Sequence, residues 1–214
     1  MSDFRRRLMI VKPSLLPGGI PIDNAPNGVY IYADGKLFKQ NEWNTLWNDY
    51  AIGIAIISNT HSDGFLISLD EVKDLNWYPN ADIDPSEMVS QVFTANNRLA
   101  AKQDYDGIQN TNILVNKYGK NNNYAAGYCL NYIFKDGKVG YLGSCGDWIE
   151  LTTTLNEVNS CLSLVGGSKI QKTYYWASTQ ADKDVSWCFY GSDKEIYTSV
   201  KRGKYRVRAF TTLK

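Results

Sequence analysis

The sequence predicts an α+β fold, with strand signals at both ends of the chain and helix signals in the middle. Near the start, an Asp-Gly turn at Asp34-Gly35 separates two short apolar runs, which is typical of a β-hairpin. Helix-start and helix-stop residues bracket amphipathic segments between residues 84 and 167. Near the end, residues 185–190 alternate apolar and polar side chains as a strand does. The expected sheets are antiparallel, and the expected helices are few and short.

Residues 1–25 are predicted to form an extended arm for attachment or oligomerisation, followed by a body at residues 26–214. Pro13, Pro21 and the run Pro17-Gly18-Gly19 interrupt any regular element. The segment Phe4-Arg5-Arg6-Arg7-Leu8-Met9 is interpreted either as a docking peg or as a solvated flexible terminus. The residues leave both interpretations open.

The first half of the body predicts strands. Residues 29–32 and 36–38 form the expected hairpin around Ala33-Asp34-Gly35. The apolar run at 52–57 predicts a buried strand, and residues 64–69 are its expected partner.

The middle of the chain predicts helices. Asp84-Pro85-Ser86-Glu87 combines an N-cap, a proline at the first helical position and an acid in the first turn. The helix that follows would carry an apolar stripe including Met88, Val92 and Leu99. Further helices are expected at 111–118, 124–132, 146–153 and 155–165, with Gly119 and Gly166-Gly167 as stops.

The C-terminal segment predicts a three-stranded antiparallel meander. Val185, Trp187 and Phe189 would point to the core, and 195–200 would pair with this strand across the turn at 191–194. Residues 205–211 would form the third strand. Pairing between strands from the two ends would bring the termini close.

The composition limits which partners and which kinds of site fit this chain. The 214 residues have 43% hydrophobic content, enough for a sizeable core, and a formal charge of +1, which does not favour nucleic acid or a membrane as the partner. No apolar run suits a membrane span or a secretory signal, so synthesis in the cytoplasm is expected. The cysteines are widely spaced and are predicted to be buried or half-buried free thiols rather than disulfides or zinc ligands; they are Cys129, Cys145, Cys161 and Cys188.

Three motifs in order resemble one family. They are Tyr124-Ala125-Ala126-Gly127-Tyr128-Cys129, then Gly140-Tyr141-Leu142-Gly143-Ser144-Cys145-Gly146-Asp147-Trp148, then Tyr175-Trp176-Ala177-Ser178-Thr179-Gln180 followed by Trp187 and Arg206-Val207-Arg208. Together they resemble the C-type-lectin-fold proteins of gut bacteria and their phages. This group includes the variable proteins of diversity-generating retroelements and phage tail or fibre proteins.

The resemblance implies a C-type-lectin-like fold and a virion-associated protein that binds a host-surface glycan or protein. It implies attachment to other virion proteins through the arm, and a homo-oligomer, with a trimer expected by analogy with fibres. The residues themselves indicate no cofactor, metal or catalytic residue. Frame residues would hold the fold: Trp176, Ser178, Thr179, Trp187, Arg206 and Arg208. The ligand-binding residues would be Gln180, Asp182, Lys183, Asp184, Ser186, Cys188, Tyr190, Tyr197, Lys201, Arg202, Lys204 and Tyr205.

Strand geometry supports part of this set independently. If Val185, Trp187 and Phe189 point inward, then Ser186, Cys188 and Tyr190 point outward. The alternative is an ordinary solvated sheet face. Trp176 is predicted to pack in the core rather than to stack on a sugar. A purely structural virion component remains the alternative function.

An enzyme on the same fold is a weaker alternative. His61 lies in a polar turn, and no nucleophile-elbow motif accompanies it. Cys145 and Cys188 are the candidate reactive thiols. The acids Asp82, Asp84 and Glu87 fit helix capping better than calcium binding. The basic residues 201–208 favour an anionic polysaccharide over nucleic acid.

Overall fold

The computed structural model describes residues 16–60, 63–79 and 88–214. Twelve strands and five α-helices are present in these ranges, so the α+β prediction is confirmed. The strands are β1 (Ile20–Pro21), β2 (Gly28–Ala33), β3 (Lys36–Phe38), β4 (Ala51–Ile57), β5 (Phe65–Ser68), β6 (Val72–Leu75), β7 (Tyr141–Leu142), β8 (Tyr174–Gln180), β9 (Val185–Tyr190), β10 (Glu195–Val200), β11 (Tyr205–Val207) and β12 (Ala209–Thr212). The helices are α1 (Arg98–Ala101), α2 (Gly107–Tyr118), α3 (Ala125–Asn131), α4 (Cys145–Glu150) and α5 (Leu155–Leu164). None of these helices has the length and apolar character needed to cross a bilayer.

Two sheets organise the chain. Seven strands follow the order β1-β3-β2-β4-β5-β12-β7, and five follow the order β10-β9-β8-β11-β6. All pairings are antiparallel except the one between β11 and β8. One hydrophobic cluster joins the facing sides of the two sheets with α4 and α5. A second covers the other side of the larger sheet with α2 and α3, and it extends to Trp77 and Trp176.

Local signals near the start gave the expected strands. Asp34 and Gly35 both have positive φ, 53° and 74°, which suits the hairpin turn between β2 and β3. The strand at 52–57 and its partner are confirmed as β4 and β5. Strands from the two ends do pair, because β12 lies beside β5.

The boundary of the arm differs from the prediction. Ile20–Pro21 pairs with β3 in the larger sheet, and Leu16 is buried. The prolines and glycines therefore do not exclude regular structure from this segment. The rest of the predicted arm, residues 1–15, lies outside the described residues.

The predicted helix with a stripe through Met88, Val92 and Leu99 is wrong. The described part of this segment is largely irregular, and only Arg98–Ala101 is helical. Gln91 has a φ of 69°, and the backbone at 93–95 bonds to Gln180 rather than along a helix. Leu99 is 75% exposed. The N-cap signal at 84–87, with Asp82, lies outside the described residues, as does His61.

The later helices are confirmed as α2, α3, α4 and α5, although α2 begins at Gly107, four residues before its predicted start. Ser144 caps α4, since its hydroxyl oxygen accepts the backbone N–H of Asp147 while the Asp147 carboxylate accepts the N–H of Ser144. Gly119 ends α2 with a φ of 83°.

The predicted C-terminal meander is wrong in its third strand. β9 and β10 pair as expected, but β10 is an edge strand. The segment 205–211 divides instead: β11 lies between β8 and β6, and β12 joins the larger sheet. The break falls at Arg208, whose buried guanidinium binds the carbonyl oxygens of Leu69 and Ser168 and the Glu71 carboxylate. These partners lie far away in sequence, so local alternation did not reveal the break.

Candidate functional site

The outer side of the five-stranded sheet follows from its register. Trp187 and Phe189 are buried against the core between the sheets, as predicted. Tyr174 lies opposite Tyr190, and Tyr197 lies opposite Cys188, on the other side. Directly opposed residues share one face of an antiparallel pair, so strand alternation brings these side chains together.

Four half-buried tyrosines form a continuous surface on this side, which we call the tyrosine face: Tyr174, Tyr190, Tyr197 and Tyr205. Tyr174 stacks on Tyr190, with ring centres 4.4 Å apart. Tyr205 lies 5.1 Å from Tyr174, and Tyr197 lies 6.2 Å from Tyr190. These spacings suit favourable aromatic packing, so the rings hold one another in place.

Buried side chains form the floor beneath these rings. Trp176 is fully buried, its ring centre is 4.7 Å from that of Tyr205, and its indole N–H donates to the carbonyl oxygen of Leu75. Cys188 is also fully buried, and its thiol donates to the carbonyl oxygen of Tyr197. Trp176 is therefore a core residue, as predicted. Its contacts make the tyrosine face a supported surface rather than loose side chains.

The four hydroxyl groups differ in their hydrogen bonding. Tyr197 donates to the Asp193 carboxylate, and this bond raises the pKa of Tyr197. Tyr205 and Ser199 share a hydrogen bond of 2.6 Å. The hydroxyls of Tyr174 and Tyr190 have no hydrogen-bond partner among the described residues. These two are placed to hydrogen-bond a ligand that covers the rings.

Cationic side chains lie around the tyrosine face. The Arg98 guanidinium is 4.9 Å from the centre of the Tyr197 ring. Arg202 and Lys204 are exposed in the turn before Tyr205, where the Arg202 guanidinium donates to the Tyr78 hydroxyl at 3.1 Å. Two acids also lie here: Glu195 pairs with Lys102 at 2.8 Å, and Asp193 accepts the Tyr197 hydroxyl. The rim thus presents cations that a ligand anion can approach.

The structure separates the predicted ligand-binding residues into three groups. Exposed ones are Asp182, Lys183, Asp184, Arg202 and Lys204, and half-buried ones are Tyr190, Tyr197 and Tyr205. The prediction that the remaining four are displayed is wrong, because they are buried: Gln180, Ser186, Cys188 and Lys201.

The burial of Gln180 and Ser186 has a tertiary cause. The Gln180 side chain accepts the backbone N–H of Val89 and donates to the Thr94 hydroxyl. Ser186 donates to the carbonyl oxygen of Thr179 at 2.8 Å. The irregular segment from Val89 to Ala95 lies against the end of β8, and strand alternation alone gives no sign of it.

Lys201 is an internal cation. Its ammonium donates to the Gln180 side-chain oxygen at 2.7 Å, and to the carbonyl oxygens of Asp182 and Lys183 at 2.8 and 3.0 Å. It also lies 4.8 Å from the centre of the Trp77 ring. Burial lowers the pKa of Lys201 from 10.5 to about 8. Lys201 therefore holds the β8–β9 turn against Trp77 instead of facing a ligand.

The frame residues of the predicted set are internal or half-buried. Glu71 connects several of them: its carboxylate accepts from Arg206, from Arg208 and from the Tyr175 hydroxyl. Sequence reasoning missed Glu71, since its partners are more than a hundred residues away. It also left Tyr174 and Arg98 out of the ligand-binding set. The alternation of β8, read together with Trp176, could have identified Tyr174.

The cysteines are all free and buried, as predicted. Burial raises the pKa of Cys188 to about 12 and raises that of Cys145 well above its usual range. A thiolate nucleophile needs the opposite shift. The described residues also hold no group of three or more His, Cys, Asp or Glu side chains arranged to bind a metal ion.

Comparison with known proteins gives a likeness of fold. No protein-family model matches the chain, and no curated protein sequence matches it. One similar solved structure is the crystal structure of a fimbrial protein from Bacteroides ovatus ATCC 8483, with a TM-score of 0.59 and 16% sequence identity. The likeness covers 88% of this chain and 49% of that one, so this chain spans about half the length of its neighbour.

Proposed function

We propose that this chain is a ligand-binding protein of a surface-exposed assembly, and that it recognises a host-surface ligand through the tyrosine face. The motifs shared with C-type-lectin-fold proteins of gut phages favour a virion, as part of a tail or fibre. The observation that carries the proposal is the packed cluster of Tyr174, Tyr190, Tyr197 and Tyr205 on one side of a sheet. Tyrosine gives large contact area and a directional hydroxyl at small entropic cost.

An acidic glycan fits the chemistry of this surface best. Aromatic rings pack against the apolar faces of sugar rings, while the hydroxyls of Tyr174 and Tyr190 can bond sugar hydroxyls. Arg98, Arg202 and Lys204 supply cations for carboxylate groups. A host-surface protein is the other ligand class that such a surface would suit.

A binding experiment tests this proposal. Acidic and neutral bacterial polysaccharides would be titrated against the wild type and against Tyr190→Ala. We expect saturable binding to acidic polysaccharides that weakens by about tenfold in Tyr190→Ala, since a central aromatic contact contributes roughly 1–2 kcal/mol. Tyr50→Ala is the matched control, because Tyr50 is an exposed tyrosine in another part of the fold. Equal affinity of Tyr190→Ala and the wild type would refute the role of the tyrosine face.

The second candidate is a structural subunit whose lectin-like domain contacts other subunits. The likeness to a fimbrial protein favours this candidate, since that neighbour is named for a surface appendage. This second candidate predicts that another subunit covers the tyrosine face. Tyr190→Ala would then weaken self-association, measured by sedimentation velocity, and would leave polysaccharide binding unchanged.

A further inference from the structure

A cleft far from the tyrosine face has a chemistry of its own. An open cleft of about 570 Å³ lies between α2 and the larger sheet, and it adjoins a second of about 250 Å³. Both are lined by Ile108, Asn112, Tyr141 and Thr212. The two cavities therefore form one elongated groove beside β12 and β7.

The groove combines apolar walls with negative charge. Ile108 and Val139 remain 46% and 48% exposed at its side, so both leave aliphatic surface that the described residues do not cover. Asp63 and Asp106 line its wider part, and no lysine or arginine is found among the described residues that line it. An occupant with aliphatic side chains and positive charge would match both features.

We propose that the occupant is residues 4–12 from the N-terminal segment of a second copy of this chain. Their sequence is Phe4-Arg5-Arg6-Arg7-Leu8-Met9-Ile10-Val11-Lys12, an apolar run flanked by three arginines and a lysine. The aliphatic run would lie against Ile108 and Val139. The arginines would face Asp63 and Asp106, which have no counter-charge among the groove's other described lining residues.

The described chain begins at Leu16, whose carbonyl oxygen accepts from Lys36 of β3. The groove lies three to four strands away in the sheet order, beside β5 and β12. Strand spacings of about 4.8 Å make this separation about 14–19 Å, whereas residues 8–16 span about 27 Å when fully extended. The segment of the same chain is also long enough to reach the groove, so association of the wild type is the observation that assigns the contact to a second copy.

This arrangement is heterologous, because the N-terminal segment of one copy contacts the groove of the next. Such contacts build rings when the rotation closes and filaments when it does not. The contact is separate from ligand recognition by the tyrosine face, so each can fail without the other.

Reciprocal charge reversal in the full chain tests the proposal. One variant reverses the segment, with Arg5→Glu, Arg6→Glu and Arg7→Glu, and another reverses the groove, with Asp63→Lys and Asp106→Lys. We expect concentration-dependent association of the wild type in sedimentation velocity, and weakening by about tenfold or more in either variant, as expected when close charge pairs are lost. Combining both reversals should restore association to near the wild-type level. Glu157→Lys, an exposed acid on α5, is the matched control and should have no effect.

Ile108→Ser provides a test without any change of charge. It should weaken association by about fivefold through lost apolar contact, with the near-ultraviolet circular dichroism of the wild type retained. A wild type that stays monomeric at all concentrations, association that is equal in the reversed variants, or a combined reversal that restores nothing would overturn the proposal.

Discussion

Lys201 carries a buried ammonium group whose partners are neutral oxygen atoms and an indole ring. Its desolvation is therefore only partly offset, which is why its pKa falls to about 8. Lys201 ties the turn to the core through hydrogen bonds, while keeping its charge inside the fold costs free energy.

The lowered pKa of Lys201 predicts a specific dependence of stability on pH. The unfolded chain keeps this proton up to about pH 10.5, whereas the folded chain begins to lose it near pH 8. Since the unfolded state then binds more protons, the contribution of Lys201 to the free energy of unfolding rises with pH, by about 1–2 kcal/mol between pH 8 and 9.5. Urea titrations of the wild type and Lys201→Met should differ by this amount over that range. A difference that is constant with pH would contradict the assignment.

Glu71 is the second residue whose removal has a defined consequence. Its carboxylate is the anionic partner of the fully buried Arg208 and of the more exposed Arg206. Glu71→Gln would leave the Arg208 guanidinium buried without a counter-charge, so we expect a loss of about 3 kcal/mol in the free energy of unfolding. Chemical denaturation of the wild type and Glu71→Gln would measure this loss. Glu157→Gln, on the exposed side of α5, is the control and should change stability by less than about 0.5 kcal/mol.

At the scale of elements, the sequence correctly predicted the turns and helix ends that depend on residues close together in the chain. Three such signals are the Asp34-Gly35 turn, the Gly119 stop and the Ser144 cap. Each acts within a few residues, and the strands and helices that they delimit are present. The failures share one cause, which is bonding to partners distant in sequence. Gln180 draws residues 93–95 away from a helix, and the partners of Arg208 split the last predicted strand into two.

The turn between β9 and β10 gives a prediction at this scale. A Cβ atom on Gly191 would lie 2.1 Å from the carbonyl oxygen of Gln171, which is a backbone atom and cannot rotate away. Gly191→Ala should lower the free energy of unfolding by about 2 kcal/mol, and it should disturb Tyr190 next to it. Thermal and urea unfolding would measure the loss. Ser192 is an exposed neighbour in the same turn, so Ser192→Ala is the control. Equal stability of Gly191→Ala and Ser192→Ala would contradict the close approach of Gly191 to Gln171.

At the scale of the whole molecule, the sequence predicted the fold class and part of the candidate site. Alternation along β9 placed Tyr190 on the outer side, but it gave the same side to Ser186 and Cys188, which are buried. A period of two assigns a side chain to a face, and it does not reveal which neighbours cover that face. The tyrosine face itself required the pairing of β8, β9, β10 and β11, which depends on contacts between distant segments.

The most direct test of the account is binding of labelled protein to a panel of intact gut bacterial cells, with and without their capsular polysaccharide. If the tyrosine face binds a capsular glycan, binding should be saturable and strain-selective, and it should disappear with the capsule. A Tyr174→Ala, Tyr190→Ala double variant should bind at least about tenfold more weakly, while Tyr50→Ala binds normally. Absence of saturable binding by the folded protein, or equal binding by the double variant, would contradict recognition through the tyrosine face.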